Sequence, residues 1–516
     1  GMASTLGHNE VMGDLAGAFT FPQQVAEVTS DDVAAFCRQY FRLNELTCVI
    51  YLPEGCDPSQ FGIPNDADQL QTLLGDVLQT GHDLEKIRRI NIQTPDRGNS
   101  KTATADQPFE IHHLSNGTEV CLRRDPALPI MTMAMSTIGG STGETTENCG
   151  LSTLAQMVQI KGTGKLKSEV IFESLEGDGA SIAPRTERDF TGLFISALSE
   201  RMDLALDLAG QLINAPSFPQ EEIEQERRLA LEQLAALQDN PFQAAAVKLR
   251  ELIYGNHPYG RPLAGTLKSL PLITREMLLA RHAANWASGN LHITASGSFD
   301  PDDLLKRLED MLATIPRTET TARPQPGPTQ KAAGIVADRI IKQQNQSIVL
   351  TAWPGPVNVD ADRTGLMMLK EVLNGQAGRL FEYLRNQNSL CYNTGTMSTA
   401  GYGQGMFLSY VLTSPDTETD ALEAMLKVLG EMTVKEVGND EFEMARSQLL
   451  GNMLIGSQAS SARVSRCSRD RLFGRDANDL GNVVKAIEQC TPAMVLEVAK
   501  KYITPEQRFE VIIGPE

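Results

Sequence analysis

The stretch of residues 150–163, GLSTLAQMVQIKGT, is where residue types and spacing bear most directly on chemistry. Its apolar residues recur at helical spacing and a glycine stands near each end, so the stretch is predicted to be a helix. Thr153, Gln156 and Met157 then lie within one turn, on one side. Zinc requires imidazole, thiolate or carboxylate ligands, and a general base requires a titratable group. A hydroxyl, a carboxamide and a thioether supply neither, so we expect no hydrolytic zinc site at this turn.

Other interpretations of these elements are open on residue type alone. An ordinary buried amphipathic helix explains the spacing of residues 150–163 equally well. Elsewhere, His112 and His113 are adjacent on a predicted strand, where successive side chains point to opposite faces, so the two cannot chelate one ion. The remaining histidines are far apart in sequence and show no ligand spacing. The sequence therefore predicts no alternative metal site.

The segment before this helix has an informative order of elements. FEIHHLSNGTEVCLRR predicts two short strands around the hairpin signal Asn116-Gly117, and an apolar strand follows over residues 130–138, ending in Gly-Gly. This order resembles the opening of a pitrilysin-type (insulinase-like) zinc metallopeptidase domain. The family's inverted motif, His-x-x-Glu-His, supplies two zinc ligands and a base. The resemblance implies that Thr153, Gln156 and Met157 stand at those positions, so the motif is degenerate.

Two further segments match the same family. FPQEEIEQERRLALEQLAALQDNP, residues 218–241, resembles the second active-site helix, in which the Glu of a Glu-Arg pair is the third zinc ligand. By position that residue is Glu226, which is interpreted as vestigial. Without its two imidazole partners, a solvated carboxylate on a helix face is the favoured interpretation of Glu226. HPYGRPLAGT, residues 257–266, also resembles a family segment and is predicted to be a structural turn preceding a helix.

A second constellation of chemically useful residues lies in RLFEYLRNQNSLCYNTGT. A helix through Leu384 and Arg385 is predicted to give way to a strand near Leu390, which places Arg385 and Tyr392 at the two ends of the turn. The spacing resembles the family's C-terminal Arg and Tyr pair, which faces the metal from the opposite half and holds the substrate backbone. An Arg fork can donate to a peptide carbonyl and a Tyr hydroxyl to an oxyanion. A surface Arg beside a half-buried strand Tyr is the alternative on residue type.

Three stretches share one plan, a Thr-capped helix followed by an apolar strand. Their predicted capping residues are Thr29, Thr274 and Thr491. We expect an α+β fold with two related pitrilysin-type domains, each a mostly antiparallel sheet covered by helices, and an N-terminal partial unit. The predicted boundaries are 1–55 for the tail of a preceding unit, 56–107 for a connector with one possible helix at 68–78, 108–316 for the degenerate domain, 317–330 for a linker and 331–516 for the C-terminal domain.

Composition indicates a large soluble protein. The 516 residues are 41% hydrophobic and 22% charged, and no apolar run is long enough to cross a bilayer. A net charge of −19 argues against a nucleic-acid partner. The eight cysteines form no Cys-x-x-Cys pair, which favours neither a zinc ribbon nor a disulfide framework and slightly favours a reducing compartment such as the cytoplasm.

These observations lead to two hypotheses of different classes. In the first, the chain is the non-catalytic, substrate-binding half of a pitrilysin-type endopeptidase acting on peptides or unfolded polypeptides. It holds no cofactor itself, and a partner half with His-x-x-Glu-His, in the same polypeptide or a separate subunit, carries the zinc. The chain alone is then inactive. In the second, it is a structural or assembly subunit of the same family without a peptidase role. An autonomous hydrolase with other ligands has no supporting spacing.

Overall fold

The structure, a computed structural model, describes residues 2–12, 16–41, 107–319, 333–358, 361–403 and 405–516. The chain divides into two compact units, residues 1–103 and 104–516, and each is described by itself. In the larger unit we call residues 107–319 the first lobe and residues 333–516 the second lobe. The helix predicted at 68–78 and the strand predicted to follow the first Thr-capped helix lie outside the described residues.

The described part of the smaller unit is helical. Its helices are α1 (Met2–Val11), α2 (Gly17–Glu27) and α3 (Ser30–Tyr40). Helix α3 begins with a capping box, in which the Thr29 side chain accepts a hydrogen bond from the Asp32 backbone N–H and the Asp32 carboxylate accepts one from the Thr29 N–H. The predicted cap at Thr29 is confirmed.

The first lobe is built on a six-stranded sheet with the order β1-β2-β6-β3-β5-β4. Its strands are β1 (Glu110–His113), β2 (Glu119–Arg124), β3 (Ile130–Ile138), β4 (Ser181–Thr186), β5 (Phe190–Leu198) and β6 (Leu291–Gly297). Only β2 and β6 pair in parallel. Gly117 turns the β1–β2 hairpin with a φ of 91°, a conformation that glycine adopts without strain. The predicted hairpin and the predicted strand at 130–138 are both confirmed.

The helices of the first lobe are α4 (Leu151–Gln159), α5 (Ser168–Gly177), α6 (Met202–Asn214), α7 (Gln220–Asp239), α8 (Pro241–Tyr254), α9 (Arg275–Asn285) and α10 (Pro301–Met311). Helices α5, α6 and α10 cover one face of this sheet. The apolar core between β3, β5 and β6 and helices α5, α6 and α10 is formed by buried Met, Leu and Ile side chains. A smaller core joins α4 to α7 and α9. This packing fixes the position of α4, which the sequence singles out.

The second lobe repeats the plan. Its five-stranded sheet has the order β7-β11-β8-β10-β9, and only β7 and β11 are parallel. The strands are β7 (Val336–Ile341), β8 (Ser347–Pro354), β9 (Asn393–Thr399), β10 (Met406–Thr413) and β11 (Phe509–Gly514). The helices are α11 (Arg363–Leu373), α12 (Arg379–Phe381), α13 (Glu418–Glu431), α14 (Asn439–Gly456), α15 (Ser460–Leu472), α16 (Asp479–Gln489) and α17 (Pro492–Tyr502). The expected α+β class with two related, mostly antiparallel sheets is therefore confirmed.

The repeat extends to individual caps. Thr274 accepts a hydrogen bond from the Met277 N–H at the start of α9, and Thr491 accepts one from the Met494 N–H at the start of α17. A strand of the local sheet follows each helix, β6 after α9 and β11 after α17. Helix α9 packs on α4 and helix α17 packs on α11. Helices α4 and α11 therefore hold equivalent places in the two lobes.

Each lobe packs one of its helices on the sheet of the other lobe, an arrangement that we call the helix exchange. Helix α8 of the first lobe packs on β8 and β11 of the second, where Leu249 and Ile253 lie against Leu350 and Val511. Helix α15 of the second lobe packs on β3 and β6 of the first. Each sheet is thus covered on one face by its own helices and on the other by a helix from the opposite lobe. The segment around residue 317, predicted as a linker, separates two sheets within one compact unit.

Polar contacts reinforce this exchange. Arg471 of α15 donates to both carboxylate oxygens of Glu119 on β2, at 2.8 and 2.6 Å. Burial alone would raise the pKa of Glu119, but the hydrogen bonds from Arg471 and the imidazole of His292, 3.5 Å away, hold it well below its usual value of 4.5. The carboxylate therefore stays ionised and paired in the folded protein.

No described helix is long and apolar enough to cross a membrane.

We expect Arg471→Met to destabilise the protein by about 2 kcal/mol at pH 7, because it leaves a largely buried carboxylate with one partner fewer. Since the pKa of Glu119 is depressed in the folded state, its pair with Arg471 contributes stability above pH 4.5 and loses it as the pH falls further. The difference in urea midpoint between wild type and variant should therefore shrink below pH 4.5. Arg228→Met removes an exposed arginine and is the control; equal midpoints at pH 7 for wild type and Arg471→Met would contradict this role.

Candidate functional site

Helix α4 begins at a tightly packed glycine. Gly150 has a φ of 93°, and a Cβ atom there would lie 2.7 Å from the Cα of Gly265. Only glycine fits this position, because both the backbone conformation and the close approach exclude a side chain. The close approach brings the 257–266 segment directly against the start of α4.

A buried carboxylate accepts hydrogen bonds from backbone amides that have no partner within the helix at the start of α4. Glu144 accepts hydrogen bonds from the Gly150 N–H at 2.9 Å and from the Ser152 N–H at 2.7 Å. Burial raises the pKa of Glu144, while the hydrogen bonds from Ser152 and the charge of Arg281 oppose that rise. Helix N-termini favour such acceptors because their first amides have no partner within the helix. Glu144 was not predicted from the sequence, because it lies six residues ahead of the N-cap position and outside the usual capping pattern.

The three side chains at the motif positions have different surroundings. The Thr153 hydroxyl donates to the Leu263 carbonyl at 2.7 Å, so it is committed to the 257–266 segment. Gln156 is buried, and its Nε2 donates to Gln159 Oε1 at 3.1 Å, while its Oε1 has no partner among the described residues. The Met157 side chain is 38% exposed. One turn of α4 thus brings all three together, as predicted.

Gln156 belongs to a small amide network. Gln159 accepts from Gln156 and from the Trp286 indole N–H at 3.2 Å, and its own Nε2 donates to the Leu212 carbonyl. The network joins α4 to α6 and to the chain just after α9. A neutral amide at position 156 is therefore well suited to structural hydrogen bonding in a dry interior.

Glu226 is buried, and the interpretation of it as a solvated carboxylate was wrong. It lies on α7, where its Oε1 is 3.0 Å from the Nζ of Lys161. Lys161 also lies over the Phe172 ring, 5.2 Å from its centroid. Because α7 packs on α4, Glu226 is turned inward rather than toward water. Lys161 lies just beyond the end of α4, and no local pattern in the sequence indicates this pairing.

The residues present at this place do not fit a zinc ion. The Thr153 oxygen and the Glu226 oxygen are engaged with a carbonyl and an ammonium group, and neither Gln156 nor Met157 offers a donor that zinc selects. Within the described ranges, no group of three or more His, Cys, Asp or Glu side chains is arranged to hold a metal. We therefore derive no metal-dependent step from these residues.

The 257–266 segment connects the two lobes beside α4. The Tyr259 hydroxyl donates to Asp189 at 2.7 Å and accepts from the Gly403 N–H at 3.0 Å, while the Tyr402 N–H donates to the same carboxylate at 3.2 Å. Burial raises the pKa of Asp189, and these hydrogen bonds oppose that rise. The segment therefore supports α4 on one side and the β9–β10 connection on the other. It precedes α9 only after a further short helical turn at Leu270–Leu272.

Arg385 and Tyr392 lie on the second lobe, at a turn that differs in detail from the prediction. The helix continues from α12 as a π-helix, Glu382–Gln387, Ser389 adopts a φ of 53°, and strand β9 begins at Asn393 rather than near Leu390. The wider π-helical turn and the left-handed Ser389 lie just before the predicted strand start, so the strand begins later in the sequence than predicted. Such π-helical turns are frequent at functional sites.

The two side chains are close along this turn and accessible. Arg385 Nη1 donates to the Cys391 carbonyl at 2.8 Å, which fixes the guanidinium beside the residue preceding Tyr392. The Tyr392 ring is 53% exposed, and its hydroxyl lies 3.3 Å from Ser414 Oγ. Arg385 is also exposed, and the bond to Cys391 uses one of its five donors. No hydrogen bond or ion pair among the described residues joins this pair to α4.

The capping role of Glu144 yields a test. Glu144→Ala removes both acceptors from buried amides at the start of α4, so we expect a loss of about 2–3 kcal/mol in unfolding free energy. Glu173→Ala, an exposed glutamate on α5, should change it by less than about 0.5 kcal/mol. Urea unfolding followed by circular dichroism measures both. Equal stabilities for the two variants would show that Glu144 does not cap the helix.

Family profiles match both lobes. Residues 119–267 match the profile described as "Insulinase (Peptidase family M16)", and residues 272–449 match "Peptidase M16 inactive domain". Together they cover more than half of the chain.

Curated relatives are similar over most of their length. A protein named uncharacterized zinc protease from Rickettsia felis is 26% identical over 352 residues, covering 68% of this chain and 84% of that protein. One of the same name from Rickettsia bellii is 22% identical over 410 residues, covering 79% of this chain and 98% of its own length. The match thus extends across nearly an entire relative.

Solved structures agree on the fold. A crystal structure of a peptidase M16 inactive domain from Pseudomonas fluorescens superposes with a TM-score of 0.73 at 21% identity, covering 79% of this chain and 98% of that one. A protease from Helicobacter pylori superposes with a TM-score of 0.72 at 18% identity, covering 79% and 100%. With the repeated sheets, the α4 frame and the two profile matches, these likenesses confirm the predicted relationship. The chain belongs to the insulinase-like (pitrilysin) family of peptidases, family M16.

Proposed function

We propose that this chain is the non-catalytic, substrate-binding half of a zinc-dependent pitrilysin-type endopeptidase that acts on peptides or unfolded polypeptides. The observation that supports this proposal is a difference between the two groups of candidate site residues, one on α4 and one on the second lobe. At the α4 turn, zinc ligands and a base are replaced by Thr153, Gln156 and Met157, with Glu226 paired to Lys161. At the second-lobe turn, Arg385 and Tyr392 remain accessible.

The chemistry available to Arg385 and Tyr392 is binding and polarisation. Arg385 has donors left after its bond to the Cys391 carbonyl, and these can bind a peptide carbonyl. The Tyr392 hydroxyl can donate to an oxyanion as negative charge develops there. Neither residue attacks a peptide bond under this proposal. The zinc, its ligands and the general base belong to a half that carries His-x-x-Glu-His.

An exposed apolar face on α3 supports the existence of such a partner. Val33 lies four residues after its capping threonine, the position that Leu278 holds on α9 and Val495 on α17. Leu278 and Val495 are fully buried, whereas Val33 is 52% exposed. Phe36 and Tyr40 continue the same exposed face. This face is buried in two copies of the repeat and exposed in the third among the described residues, and an exposed apolar face of this kind is typical of a docking surface.

The equivalent helices indicate what would cover this face. Helix α9 packs on α4 and helix α17 packs on α11, so α3 would pack on the corresponding helix of a further pitrilysin-type unit. In a catalytic unit that helix carries the inverted zinc motif. We therefore propose that α3 docks beside the motif helix of the partner half, whether that half is a separate subunit or part of the same polypeptide.

The alternative is a structural or assembly subunit without a peptidase role. It is favoured by the internal engagement of the α4 region, where Thr153, Gln159 and Glu226 all serve packing contacts. Under this alternative, Arg385 and Tyr392 have no role in substrate binding. Substitutions at these two residues separate the two functions.

The chain alone should not cleave an unstructured fluorogenic peptide, and adding a half with His-x-x-Glu-His from the same genome should produce chelator-sensitive cleavage. Arg385→Ala should then lower kcat/KM by about a hundredfold, because a donor to the substrate is lost. Tyr392→Phe, which removes only the hydroxyl, should lower it by about tenfold or more. Asn386→Ala, on the same π-helical turn, is the matched control. Full activity of both variants would favour the structural subunit.

The α3 surface has its own test. Val33→Asp places a carboxylate in the proposed contact and should weaken binding to the motif-bearing half at least about tenfold, measured by titration calorimetry. Val434→Asp makes the same change at a valine that is 80% exposed in the second lobe and should have no effect. Unchanged affinity for Val33→Asp, with cleavage still dependent on Arg385, would reject the docking surface and leave the substrate-binding role intact.

A further inference from the structure

A cavity of about 670 Å³ lies between helix α8 and the second sheet. Its walls come from the end of α7, the inner side of α8, the 260–267 segment and strands β9 and β10. Most of the lining is apolar, with Phe242, Leu263, Met397 and Leu408 as examples. The volume is in the range of small-molecule sites, which combine apolar walls with a few polar groups. Arg385 and Tyr392 do not line it.

Three arginines line this cavity: Arg188, Arg250 and Arg261. Arg188 donates to the Arg261 carbonyl at 2.9 Å, and Arg261 donates to the carbonyls of Glu144 and Asn256. Neither makes an ion pair with a carboxylate of the described residues. Arg250 forms neither a hydrogen bond nor an ion pair within those residues. Glu251 also lines the cavity, but it lies 3.9 Å from Lys248 and forms no ion pair with an arginine in the described part of the chain. The cavity therefore holds guanidinium groups that form no direct ion pair with a carboxylate of the described residues.

Arg188 and Arg250 are near enough to repel each other. Burial and, to a smaller extent, the charge of Arg250 lower the pKa of Arg188 to about 10. Burial also lowers the pKa of Arg250. Partly desolvated like charges without an anion are costly to a folded protein. Residues held at such a cost are often part of a binding site, where a ligand supplies the missing partner.

We propose that this cavity binds a ligand that joins a carboxylate to an apolar body, with Arg250 and Arg188 binding the carboxylate. The planar fork of each guanidinium matches a carboxylate in two parallel hydrogen bonds. The apolar walls formed by α8 and strands β9 and β10 cover the rest of the ligand. The proposal does not depend on the proposed function, because the cavity is separate from the Arg385 turn.

Two classes of ligand join a carboxylate to an apolar body in this way: a fatty acid and the C-terminal residues of an apolar peptide. Titration calorimetry with decanoate and with N-acetyl-Leu-Leu-Phe distinguishes them, since the tighter ligand identifies the source. Decanol and the peptide amide have the same apolar bodies without the charge. We expect at least one acid to bind, and its neutral analogue to bind at least about tenfold more weakly. Equal affinities for acid and neutral analogue, or no binding of either acid at millimolar concentration, would overturn the proposal.

Substitution of Arg250 tests the residue itself. Arg250→Met should weaken acid binding at least about tenfold, and Arg250→Lys, which keeps the charge but loses the fork, should be intermediate. Arg228→Met, at an exposed arginine on α7, should bind like wild type. The ligand-free Arg250→Met protein should melt at the same temperature as wild type or higher, because an uncompensated charge is removed. A lower melting temperature together with unchanged acid affinity would assign Arg250 a purely structural role.

Discussion

The reciprocal packing of two helices holds the large unit together. Helix α8 covers the free face of the second sheet and helix α15 covers the free face of the first, so neither sheet has a solvated face where these helices lie. A sheet with one apolar face left open cannot be stable alone, and each lobe supplies what the other lacks. The Glu119–Arg471 pair and the Ser136–Ser468 hydrogen bond fix the relative register of α15 and the first sheet.

We propose that the α4 region is an active-site frame that serves as a structural element. Its glycine start, its packing on α7 and α9 and its contact with the 257–266 segment are all present. Each group that would serve chemistry is instead used in packing: Thr153 bonds a carbonyl, Gln156 joins an amide network and Glu226 pairs with Lys161. The same segment reaches the second lobe through Tyr259, so the frame still couples the two lobes. These packing contacts give the region a structural role that requires no metal.

Local features of the fold could be predicted from the sequence because they depend on near neighbours. The Asn116-Gly117 hairpin, strand β3 and the caps at Thr29, Thr274 and Thr491 are all set by turn chemistry, alternation and side-chain hydrogen bonds within four residues. Family membership was also predicted, since it rests on the order of such elements. The placement of Thr153, Gln156 and Met157 on one turn followed from helical spacing.

Features that depend on tertiary contacts could not be predicted in this way. The exchange of α8 and α15 joins residues far apart in sequence, and no local pattern indicates which sheet a helix covers. Glu226 was misjudged because a glutamate among other glutamates gives no sign that α4 will bury it. The π-helical turn before β9 shifted the strand start by three residues, since a π-helix has no clear local signal. The arginine-lined cavity depends on contacts between α8 and the second sheet.

The central claim is that the α4 region holds no zinc although its frame belongs to a zinc peptidase family. The most direct test is the metal content of the purified full chain, equilibrated with zinc and freed of excess ion, measured by plasma mass spectrometry. The account predicts substoichiometric zinc, unchanged by Glu226→Gln. One zinc per chain that is lost in Glu226→Gln would contradict it.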